Sequence, residues 1–308
     1  MDVETILEAL DEPFASYQRE AMDAAVEQQA AITPRLLQRL EAAAADPEGW
    51  EGADGPGLLY TLALLSHFRE PTAHPLTLRL ARWPEAIIEP MLGDAVTELL
   101  PVVFYQTRNG DNAGIRALLE DPSADGWCRG AAAETLSWCA LFGELDRGEL
   151  QSYFVTLLRD DHFAEPGDDA AVGLFHALLN LYPSAYEREL RDWARGAETP
   201  GPLNPEADID YVLDRGEDKA LALAREQTAE RLPTDVHDYL GHWAGFQPGF
   251  WDDEPTLDPF GEPDLNAGLD APRPAPARAT KPKAPPAGAK KRKRKQQKQS
   301  RKANRKRK

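Results

Sequence analysis

The sequence predicts an all-α chain: antiparallel helix pairs stacked as an α-solenoid, followed by a disordered basic C-terminal tail. Three observations carry that expectation. Apolar residues recur at three- and four-residue steps, the segments that read as helices end at nearly regular intervals, and period-two runs of β-branched residues are nearly absent. With 308 residues, an apolar fraction of 42% and seven Trp, the chain can build a sizeable core even without its basic terminus.

Met1 to Phe14 is acidic and amphipathic, without the basic n-region and apolar core of a signal peptide. The Thr33-Pro34 pair reads as a helix start, because Pro is pre-organised for the first helical position. Leu58–Phe68, Ala95–Thr107, Gly130–Phe142 and Ala170–Tyr182 then each read as the first helix of a pair. A more charged second helix follows each: Thr72–Trp83, Ala113–Glu120, Arg147–Leu158 and Ser184–Arg195. The first helices end 39, 35 and 40 residues apart, a period that suits a HEAT-like solenoid in which each pair buries its apolar face against its neighbours. A non-repeating helical bundle is the alternative.

Asp94 and Asp208 read as N-caps or first-turn residues, and Gly110, Gly143, Gly196 and Gly216 sit where helices should end. Pro101 either kinks its helix or starts a new one at its first turn. Trp127, Ala131, Leu136, Trp138, Cys139 and Phe142 draw one apolar stripe; Val172, Phe175, Leu178, Leu179 and Tyr182 draw another. Trp127, Trp138, Phe175 and Trp193 are therefore expected to be largely buried. The longest apolar run, Leu58 to Leu65, is far too short to span a bilayer.

After Phe246 the composition changes. Residues 247–271 are rich in Pro, Asp and Glu but keep Phe250, Trp251 and Phe260, which suits a segment docked on the 1–246 body. Phe250-Trp251-Asp252-Asp253-Glu254 reads either as a short binding motif or, preferably, as a cover for the open end of the solenoid. Residues 272–289 are a Pro- and Ala-rich linker, expected to be disordered and to reach ~55 Å if extended.

Charge separates the ends of the chain. Residues 273–308 hold 17 Lys or Arg and no acid, whereas residues 1–272 hold 18 bases against 52 acids, a formal −34. The densest part is the run Lys290, Lys291, Arg292, Lys293, Arg294, Lys295, Lys298, Arg301, Lys302, Arg305, Lys306, Arg307 and Lys308. It has no aromatic residue for base stacking and no fixed framework for reading base edges. What remains is sequence-independent neutralisation of phosphates on RNA, DNA or a ribosome. The competing expectation is that the tail masks the chain's own acidic body.

Catalytic chemistry finds little support. No nucleophile elbow, phosphate-binding Gly loop or dinucleotide fingerprint is present, so no enzyme activity and no cofactor are expected. Cys128 and Cys139 lie eleven residues apart in one expected helix, ~16 Å along its axis, beyond the reach of a disulfide. Two thiols are also too few for a four-ligand zinc site, and a reducing, cytoplasmic compartment follows. The six histidines are His67, His74, His162, His176, His237 and His242. Asp238 and His242 would share a helical face and could meet a metal, but acids are so abundant that their neighbourhood carries little weight. His176, on the expected apolar face of its helix, reads as a hydrogen-bonded core histidine.

Several short motifs occur in order: Leu92-Gly93-Asp94 with Thr97-Glu98 and Leu100-Pro101; Asn109-Gly110-Asp111; Arg129-Gly130-Ala131-Ala132; Leu181-Tyr182-Pro183; and His242-Trp243-Ala244-Gly245-Phe246. With these, residues 1–246 resemble a bacterial family of unknown function, numbered 1186 among uncharacterised domain families. The resemblance implies a helical-repeat body and supplies no activity or catalytic residue. Members of that family often end in a Cys-rich, zinc-binding SEC-C motif. Here no Cys follows Cys139 and the basic tail stands in that position, so the zinc is not expected. The functional expectation is a non-enzymatic scaffold or adaptor: a helical surface for a protein partner, and a tail for nucleic acid. A helical-repeat enzyme with a site in its groove is the alternative.

Overall fold

A computed structural model describes residues 1–13, 16–47, 49, 56–160, 163, 168–196 and 204–247. Helices joined by turns and short loops make up the described residues, with no strand among them. In chain order the helices are α1 (Val3–Leu10), α2 (Arg19–Glu27), α3 (Gln29–Ala45), α4 (Gly57–His67), α5 (Ala73–Leu80), α6 (Glu85–Leu92), α7 (Ala95–Glu98) and α8 (Leu100–Thr107). They continue with α9 (Asn112–Leu119), α10 (Gly126–Leu141), α11 (Arg147–Leu158), α12 (Asp169–Leu179), α13 (Glu187–Gly196), α14 (Pro205–Leu213) and α15 (Glu217–Arg231). Short 3-10 turns occupy Ser184–Tyr186, Val236–Asp238 and Ala244–Phe246. No helix among the described residues is long and apolar enough to cross a membrane.

The eight expected helices are all present, and α11 has the expected bounds. Pro101 takes the second of the two alternatives: it lies in the first turn of α8, where its missing N–H costs nothing, and α7 ends just before it. The helix α6, between the first two expected pairs, was not anticipated.

Thr33-Pro34 does not start a helix. The helix α3 begins at Gln29, and Pro34 lies inside it. Pro34 has no N–H to donate to Ala30, but Ile32, Leu36, Leu40, Ala43 and Ala44 of the same helix are buried, and that burial outweighs one lost bond.

Of the four aromatic residues expected in the core, Trp138 and Phe175 are buried. Trp193 is half-buried and stacks on Phe175 with ring centroids 4.7 Å apart. Trp127 is 43% exposed, against expectation. It shares a helical face with Ala131 and Trp138 but sits in the first turn of α10, at the edge of the packed layer. His176 is exposed as well, because α12 buries Ala170, Ala171, Leu174, Phe175, Leu178 and Leu179 and turns His176, with Val172 and Asn180, to the other side.

Contacts between helices run largely in chain order: α3 on α4 and α5, α4 on α8, α8 and α9 on α10, α10 on α12, α11 on α12 and α13, then α13 on α14. The helix α10 is central. Thirteen of its sixteen residues are buried, so it has packed neighbours on nearly every side rather than one wet face. Beyond α14 the order breaks: α15 returns to α10, and the Val236–Asp238 turn packs on α2 and α4.

Candidate functional site

The returning segment, residues 217–247, defines the site, because it runs over α10 and joins the end of the body to its start. Asp125 starts α10 by accepting a hydrogen bond from the Cys128 backbone N–H at 2.8 Å. On its way α10 crosses α12 at two glycines: a Cβ added to Gly173 would lie 2.5 Å from the Gly130 Cα, so the two backbones nearly touch. Further along, Glu134, Trp138 and Leu141 follow at four- and three-residue steps on one face.

Arginines of α15 answer that face. Arg225 Nε donates to the Leu141 carbonyl at 2.8 Å. Arg231 forms an ion pair with Glu134, donates through Nη2 to the Thr97 carbonyl at 2.8 Å, and lies 5.1 Å from the Trp138 ring centroid. Since Arg225 meets Leu141 and Arg231 meets Glu134, α15 runs opposite in direction to α10. At the start of α15, Glu217 pairs with Arg147, whose Nη1 also donates to the Leu181 carbonyl at 3.0 Å. Burial raises the Glu134 carboxyl above its ordinary range, and Arg231 opposes that shift.

The segment then anchors on the N-terminal helices. The Tyr17 hydroxyl meets His237 Nδ1 at 2.9 Å, and His237 Nε2 meets Asp23 Oδ1 at 3.0 Å. Tyr17 N–H donates to the Phe246 carbonyl at 3.0 Å, and the rings of Tyr17, Tyr60 and Phe246 pack with centroids 5.2 to 6.1 Å apart. A hydroxyl, an imidazole and a carboxylate in a row have the outline of a catalytic relay. Burial, however, raises the Tyr17 phenol and pushes Tyr60 up to about 12, so neither is poised to ionise near neutral pH. The row works as a clamp.

Asp238 and His242, expected on one helical face, do not share one. Asp235 caps the Val236–Asp238 turn in a reciprocal capping box, and His242 lies beyond it. Among the described residues no group of three His, Cys, Asp or Glu is placed to hold a metal. Cys128 and Cys139 are buried and unpaired in α10. Desolvation raises the Cys128 thiol well above its usual value and pushes Cys139 up to about 11, so neither is a ready nucleophile. A groove of about 460 Å³ between α11 and α13 is lined by Val155, Leu158, Leu190 and Trp193 with the Arg159–Glu189 ion pair, and it brings together no catalytic set. His162, the Phe250–Glu254 stretch, the linker and every basic residue from Lys290 to Lys308 lie outside the described residues.

The short motifs lie at chain reversals and close crossings. Gly93 (φ 49°) ends α6, Gly110 (φ 85°) follows Asn109 before α9, and Tyr182 (φ 54°) precedes Pro183. The Leu181 and Tyr182 carbonyls accept from Gln151 Nε2 at 2.7 and 3.2 Å. Gly130 is the α12 crossing, and Trp243–Phe246 is the end of the returning segment. A family of unknown function, DUF1186, matches residues 1–247, which spans all of these positions. The chain belongs to the DUF1186 family. An uncharacterised protein of Chlamydia muridarum is 32% identical over 164 residues, 51% of this chain and 64% of its own length, so just under two thirds of that relative is covered. An uncharacterised protein of Chlamydia trachomatis serovar D is 32% identical over 189 residues, 59% of this chain and 72% of its own. No solved structure matches the chain. The comparisons thus give this DUF1186 member a family and no activity.

Proposed function

We propose that this DUF1186 protein is a non-enzymatic cytoplasmic adaptor, whose helical body binds a protein partner while its basic C-terminal stretch contacts RNA, DNA or the ribosome without sequence preference. The observation that carries the reading is the charge division: 17 bases and no acid over residues 273–308, beside a formal −34 over residues 1–272. A polycation without aromatic residues has phosphate neutralisation as its natural chemistry. The two buried, unpaired thiols favour a reducing compartment.

For the body, the reading includes a HEAT-like solenoid of helix pairs. Its support is the neighbour order α4–α8–α10–α12 on one side, with α5 against α9 and α11 against α13 on the other. Repeats of this kind expose extended surfaces suited to protein partners. The test is an affinity pull-down with the intact chain and with one ending at Ala271, each with and without nuclease. Protein captured by both chains, and nucleic acid captured by the intact chain alone, is the expected result. Identical nucleic-acid capture by both chains would contradict the role of the tail.

A further inference from the structure

The face of α10 under α15 carries an unusual set of acceptors. Glu134 and Leu141 O of α10, with Thr97 O of the adjoining α7, are satisfied by only two arginines from α15, and Glu98 of α7 adds a further negative charge beside Glu134. The apolar contribution of α15 is small: its buried residues are Ala220, Leu221, Ala224 and Thr228, three of which offer one methyl or little more. The Glu134 and Arg231 side chains also stay 25% and 34% exposed with α15 in place, so water screens their attraction and the pair holds only weakly. A helix held by charge-assisted hooks on an acidic floor, with little apolar adhesive, is poised for exchange.

We propose that this face is a docking groove for an arginine-bearing helix, that α15 is its built-in occupant, and that a partner protein binds by presenting a helix of the same chemistry in its place. The incoming helix has small side chains toward α10, so that it can approach as closely as Ala220, Ala224 and Thr228 do, and arginines spaced to reach Glu134 and the Leu141 carbonyl. Arginines placed on the docking face are favoured there and a polyanion is disfavoured, because that face presents Glu134 and Glu98 and residues 1–272 carry −34. In the free chain α15 wins through tethering: Gly216 and the Glu217–Arg147 pair fix its start, and the Tyr17–His237–Asp23 clamp fixes the segment that follows. The groove gives the adaptor reading its kind of protein partner and rests on that reading for the partner's existence.

The test uses the full chain and a fluorescent peptide of residues 217–232, which holds α15 without the clamp residues, supplied in trans. The Arg225→Ala/Arg231→Ala chain should bind the peptide at least tenfold more tightly than the unaltered chain, whose groove is filled. Adding Glu134→Gln to that variant should lower the affinity about tenfold again. Equal binding to the unaltered and double-variant chains, or none to either, overturns the proposal. Native-state hydrogen exchange on the unaltered chain is the second measurement: α15 amides should exchange at least 100-fold faster than those of α10, and exchange of both in one cooperative step overturns it. The peptide assay reads the groove alone and the pull-down reads the partner, so either can fail without the other.

Discussion

Asp125 is a buried carboxylate whose clearest task is to start a helix. It is 5% exposed and holds the Cys128 N–H at the head of α10, the helix around which the body is built. Asp125→Ala should cost about 1–2 kcal/mol of unfolding free energy, whereas Asp125→Asn, which can still cap, should lose much less; urea denaturation of the two variants checks this. Equal losses would locate the effect in charge rather than in capping. Asp111, Asp146, Asp168 and Asn204 cap their helices in the same way. Of the caps expected from sequence, Asp94 precedes α7 without a side-chain bond and Asp208 is a first-turn residue of α14. With 52 acids in the chain, residue type alone does not pick the capping ones; the backbone geometry before each helix does.

Among the elements, the crossing of α10 and α12 gives the sharpest test. Alanine normally stabilises a helix over glycine by roughly 0.8–1 kcal/mol. Gly173→Ala should do the opposite and cost about 1–3 kcal/mol, because its Cβ would meet the Gly130 Cα at 2.5 Å. Gly130→Ala, whose Cβ would meet the Gly173 Cα at 3.4 Å, should be nearly neutral; thermal melts of both variants decide the matter. Apart from α6, the helices from α4 to α13 were legible because their apolar residues recur at three- and four-residue steps. The helix α15 was not: its apolar residues, Ala229 apart, form the contiguous run Ala220–Ala224, its charges lie all round, and it is held by arginines meeting carbonyls on distant elements. No local pattern announces such a helix. For the same reason the Tyr17–His237–Asp23 clamp, which spans 220 residues of sequence, could not be read from neighbours.

At the scale of the whole molecule, the chain combines a helical family body with a division of charge that composition alone reveals. The all-helical class was legible because apolar residues recur at three- and four-residue steps and period-two runs are nearly absent; the return of residues 217–247 to α2, α4 and α10 was not, since it depends on contacts between the two ends of the body. The most direct measurement of the central claim is the salt dependence of duplex DNA binding by the full chain, beside a chain lacking Lys290–Lys308. If ~6–8 basic residues neutralise phosphates, log affinity should fall against log salt with a slope of about −5 to −7, and the shortened chain should lose most of the affinity. Binding that survives the deletion, or that is unchanged between low and high salt, would contradict the account.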